Sequence, residues 1–86
     1  MARSFEAELW IAQVQVFNKL CADYIRSRSA DFIRAADLRR ELALPERVFG
    51  EVVRIFRHGD QSAIEVIETD GEAYLRLGES SRYNCD

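Results

Sequence analysis

Residues 4–27 carry an unbroken helical pattern. Trp10, Val14, Phe17, Cys21, Tyr24 and Ile25 share one side of a wheel drawn at ~100° per residue, with Phe5, Leu9, Val16 and Leu20 beside them. Together these positions span roughly 200°, wider than the ~100° stripe that a single core contact requires. No Gly or Pro interrupts the segment, Ser4 is placed to act as N-cap, and Glu6 and Glu8 suit the positive end of the helix dipole. The surplus apolar width has two uses. Either a small domain wraps the helix on two sides, or Phe5, Leu9, Trp10 and Val16 form a homodimer seam.

Residues 26–31 are polar and irregular, a connector, and Phe32-Ile33-Arg34 suffices for one short strand. A second helix is predicted from about Ala36 to Ala43, turning Leu38 and Leu42 inward, with Leu44 following into the core. Pro45 suits the first turn of a third helix, where its missing N–H costs nothing, and that helix runs to about Arg57. Val48, Phe49, Val52, Ile55 and Phe56 share its apolar face, while Arg47, Gly50, Arg54 and Arg57 fall within roughly 80° on the opposite face. Gly59 is expected to end this helix in a left-handed cap.

Ala63 to Thr69 alternates and is β-branched, Asp70-Gly71 signals a type I′ turn, and Glu72 to Leu77 returns. A two-residue loop pairs Thr69 with Glu72 and, stepping back, Ile67 with Tyr74, Glu65 with Arg76 and Ile64 with Leu77. Ile64, Val66, Leu75 and Leu77 then share a core face. Ile67 and Tyr74 lie on the other face, a candidate anchor for a protein partner. Residues 78–86 lack periodicity and read as a polar tail or a loosely docked end.

With 86 residues there is room for one domain, residues 1–86, which buries only roughly 60–65% of its extended surface, so self-association is a natural supplement. The hydrophobic share of 48% and charged share of 31% are those of a globular chain. Cys21 and Cys85 do not make a disulfide framework; Cys21 is expected as a small buried hydrophobe, and Cys85 as exposed and available for an intermolecular bridge. No apolar run reaches the ~20 residues of a membrane span and no secretory leader pattern opens the chain, so a cytoplasmic protein is expected.

Charge changes the picture more than composition does. The net charge is −3, but residues 26–57 hold eight arginines against five carboxylates, while residues 58–86 hold two arginines against seven. The basic block coincides with the two short helices and the acidic block with the hairpin.

The order helix, strand, helix, turn, helix, hairpin resembles the winged helix-turn-helix superfamily over Phe5 to Leu77. The resemblance is carried by Leu38, Leu42, Leu44, Val48 or Phe49, Val52 or Val53, and Phe56. Ala43 departs from it, since the family's turn often has Gly there. It implies an α+β fold, a small winged helix with a C-terminal wing, and double-stranded DNA as the partner, with helix three in the major groove. Carried across, Arg47, Gly50 and Arg54 would face base edges, while Arg39, Arg40 and Arg57 would reach phosphates. The plainer alternative pairs Arg47 and Arg54 with Glu51 as solvated helix contacts. Glu68, Asp70 and Glu72 at the hairpin tip would repel phosphate, which leaves open a protein-interaction module using the hairpin instead. Catalysis is not indicated. The sole histidine, His58, suits the helix C-terminus, no nucleophile, base and orienting group occur together, and no cofactor or metal pattern is present.

Overall fold

Apolar faces from three helices converge on a three-stranded antiparallel sheet in the computed structural model, which describes residues 4–85. The elements are α1 (Phe5–Ser27), β1 (Ile33–Arg34), α2 (Ala35–Leu42), α3 (Glu46–His58), β2 (Ile64–Thr69), β3 (Glu72–Leu77) and a 3-10 turn, η1 (Ser80–Asn84). This is an α+β fold with sheet order β1-β3-β2.

Ser4 caps α1 as expected, its hydroxyl accepting from the Ala7 N–H at 3.2 Å. The hairpin register is the one that the two-residue loop dictates, from Thr69–Glu72 through Ile64–Leu77. Asp70 and Gly71 both take positive φ, 51° and 77°, as a type I′ turn requires. The short strand β1 adds to the hairpin by pairing Ile33 with Leu75 and Arg34 with Tyr74, which makes β3 central.

The core draws Ala12, Val16 and Leu20 from α1, Leu38 from α2, Val48, Phe49 and Val52 from α3, and Ile64, Leu75 and Leu77 from the hairpin. Val16 is fully buried, and Phe5 and Leu9 pack against the same cluster. Of the four seam candidates on α1, Trp10 is 67% exposed, Phe5 and Leu9 are half-buried, and Val16 is withdrawn altogether. The wheel was right about which residues are apolar. Which arc points inward was decided by the packing of α3 and β3 against α1.

Two other expectations, on Gly59 and Cys85, are corrected. Gly59 is not left-handed: at φ −93° and ψ −159° it is extended, and Gln61 instead covers the end of α3, its amide donating to the carbonyls of Phe56 at 2.7 Å and Arg57 at 3.0 Å. The left-handed residue falls on Ala43, φ 53° and ψ 41°, where the chain turns from α2 toward α3. Residues 80–84 form a 3-10 turn that docks beside Ser62, the docked end of the two readings. Ser80 N–H and Oγ both donate to the Ser62 carbonyl, at 3.0 and 2.7 Å, and Cys85 is bonded to Cys21 with the Cα atoms 5.2 Å apart. Cys21 is thus buried, as expected, but beneath a covalent partner 64 residues away. Gly78 makes this docking possible, because a Cβ there would lie 2.1 Å from the Ser62 carbonyl oxygen.

Candidate nucleic-acid interface

α3 crosses the domain with Val48, Phe49 and Val52 buried and Arg47, Gly50, Arg54 and Arg57 exposed on the opposite side. The amphipathic pattern that builds the core therefore also produces the arginine stripe. No atom outside the helix's own backbone lies within 4 Å of the position a Gly50 Cβ would take, so packing does not require glycine there.

The four positions differ in what holds them. The Arg47 guanidinium lies over the Phe5 ring, 4.3 Å from its centroid, which ties the start of α3 to the start of α1. Among the described residues Arg47 makes no carboxylate ion pair. Arg54 donates from Nε to the Glu51 carboxylate at 3.1 Å and from Nη2 to the same oxygen. That hydrogen bond holds the Glu51 carboxyl below its ordinary 4.5 and raises the guanidinium further above its ordinary value. The solvated-pair alternative is thus realised for Arg54 and Glu51, but not for Arg47. Arg57 reaches the hairpin and pairs with Glu68.

On α2, Arg39 is half-buried and donates to the Leu44 carbonyl at 3.3 Å, bracing the turn between α2 and α3. This is a structural task that the phosphate assignment did not anticipate. Arg40 is exposed, 3.9 Å from Asp37. Arg34, which sequence reasoning left out of the site, links three elements: its guanidinium bonds Asp37 at 2.9 Å and Glu72 at 3.4 Å. The Arg34 hydrogen bond keeps the Asp37 carboxyl below its ordinary 3.8.

These contacts alter the electrostatics read from the chain. Glu68 is matched by Arg57 and Glu72 by Arg34, so two of the three tip carboxylates are compensated from the basic block. Asp70 makes no such pair among the described residues. The partners are 11 and 38 residues apart, beyond any local sequence signal. On the outer face of the hairpin Ile67 is 39% exposed, Tyr74 is half-buried, and Arg76 pairs with Glu65 at 2.8 Å while lying over the Phe32 ring.

Elsewhere, Glu8, Ile11, Ala12, Gln15, Leu44, Pro45 and Val48 line a groove of about 200 Å³ between α1 and the α2–α3 turn, smaller than the ~300 Å³ at which small-molecule sites begin. Among the described residues no group of three or more His, Cys, Asp or Glu is placed to hold a metal ion, and no helix is long and apolar enough to cross a membrane. Comparison with protein-family models, curated proteins and solved structures returns no match.

Proposed function

We propose that the chain is a small winged-helix DNA-binding protein of regulator type, with α3 as the recognition helix and the β2–β3 hairpin as the wing. The observation that carries this reading is the pairing of Arg47 with Gly50 on the exposed face of α3. Glycine inside a helix costs roughly 1 kcal/mol against alanine, and here no packing contact requires it. A bare backbone beside an arginine free of carboxylate partners suits close approach to a polyanion. Arg54 joins when phosphate or a base edge displaces Glu51, and Arg40 lies on the flanking α2. The wing contributes shape more than charge, since Glu72 and Glu68 are spent on Arg34 and Arg57 and Asp70 alone of the tip carboxylates is unpaired among the described residues.

The test is fluorescence anisotropy of a labelled mixed-sequence duplex at low salt, repeated over a salt series. Wild-type binding that weakens with salt is expected, and Arg47→Ala should lower the slope of log affinity against log salt by about 1. Gly50→Ala should stabilise the fold by roughly 0.5–1 kcal/mol while weakening DNA binding. Absence of wild-type binding at low salt, or full affinity in both variants, refutes the reading.

A second reading, protein capture by the hairpin, draws on the half-exposed Ile67 beside Tyr74. Tyr74→Ser should then abolish capture in a pull-down while the far-ultraviolet spectrum is retained. Capture that survives the substitution excludes that surface.

A further inference from the structure

The outward side of α1 is unlike the outward side of α3. Ala7, Trp10, Ile11, Val14, Asn18, Ala22 and Ile25 fall within ~120° of one another on the wheel, and no charged residue shares that arc. This arc is not the one that packs inward through Ala12, Val16 and Leu20. Trp10 is 67% exposed, Val14 and Ile25 are each 40% exposed, and Asn18 and Ala22 are also exposed. A solvated helix face ordinarily carries charge, and this one carries a tryptophan and β-branched residues. Ala7, Ile11, Val14, Asn18 and Ile25 also fall on one line of four- and three-residue steps, the spacing of a helix–helix seam, with a single polar residue near its middle; Cys21 lies on the same line but is buried under Cys85 and takes no part.

We infer that this strip is where a second copy of the chain docks, α1 against α1, antiparallel about a two-fold axis. The charges flanking the strip select that direction. Glu8 near the start of α1 and Arg26 near its end lie along the same edge of the strip. In an antiparallel pair each Glu8 comes beside the other copy's Arg26, twice over by symmetry. A parallel pair would crowd Glu6 and Glu8 of both copies at one end. Sizes also match in the antiparallel register, Ala7 meeting Ile25 and Ile11 meeting Ala22. Arg26 is 78% exposed and shares Asp23 with Lys19, so Asp23 keeps a partner when Arg26 turns away.

From Trp10 to Ile25 the strip is ~22 Å long. Two copies would bury on the order of 1,000 Å², the weak end of specific interfaces, so a dimer that dissociates on dilution is expected. The inference rests on α1 alone and stands or falls separately from DNA binding by α3.

Trp10 is the only tryptophan and reports its own burial. Sedimentation velocity from ~1 to ~500 µM should show a 9.9 kDa monomer giving way to a dimer, with Trp10 emission shifting to shorter wavelength over the same range. Val14→Glu should keep the chain monomeric with an unchanged melting temperature, because that side chain is solvent-exposed in the monomer. Glu8→Arg and Arg26→Glu should each weaken the dimer several-fold, and the double exchange should restore it. A monomer at every concentration overturns the inference. So does a dimer indifferent to Val14→Glu, or a double exchange that fails to restore what each single change removed.

Discussion

Reducing the Cys21–Cys85 bond should remove a large share of this domain's stability. The bond closes a loop of 64 residues, and the loop-entropy relation assigns such a cross-link roughly 4 kcal/mol. The Cα separation of 5.2 Å lies within the ordinary range, so the native backbone need not move to make or release it. A chain of 86 residues has a total stability of about 4–13 kcal/mol. Opening the bond therefore takes between a third and nearly all of it, and lowers the melting temperature by roughly 20 °C. Urea denaturation with and without a phosphine reductant measures the difference, and Cys85→Ser under both conditions is the control, insensitive to reductant. The denaturant slope should rise on reduction, because the freed unfolded chain exposes more surface. Equal midpoints for the oxidised and reduced wild type, or free thiols in the air-oxidised protein, would refute the reasoning.

Three further outcomes follow from backbone geometry and charge. Ala43 holds a left-handed conformation at the α2–α3 turn, so Ala43→Gly should stabilise by roughly 0.5–1 kcal/mol and raise the melting temperature by a few degrees; a lower value would contradict the turn geometry. Gly78→Ala drives a Cβ into the Ser62 carbonyl and should cost at least ~2 kcal/mol, read as an earlier urea midpoint; a neutral effect would contradict the close approach of η1 to the start of β2. On the acid side, Asp37, Asp60 and Glu51 have lowered pKa values in the folded state, chiefly through hydrogen bonds from Arg34, Ser62 and Arg54 respectively. Their contribution is present above the ordinary values of 3.8 and 4.5 and is lost as pH falls through the lower folded values. Melting temperature should accordingly fall below about pH 4.5, and fall less in Glu51→Gln.

Element identity and hairpin register were legible in the sequence because their causes are local. The I′ turn at Asp70-Gly71 and the period of two fix the pairing from Thr69–Glu72 to Ile64–Leu77 without reference to the rest of the chain. The 3.6-residue period likewise separates Val48, Phe49 and Val52 from Arg47, Gly50 and Arg54 on α3. The tertiary structure decided everything that depends on contacts distant in sequence. A helical wheel cannot say which of two apolar arcs faces inward, so Val16 became core and the strip around Trp10 and Val14 remained outside once α3 and β3 were in place. Segment charges sum without geometry, so the basic and acidic blocks looked separate until Arg57 met Glu68 and Arg34 met Glu72. Cys21 and Cys85, 64 residues apart, became partners for the same reason: β3 delivers η1 onto α1, and no signal near either cysteine encodes that meeting.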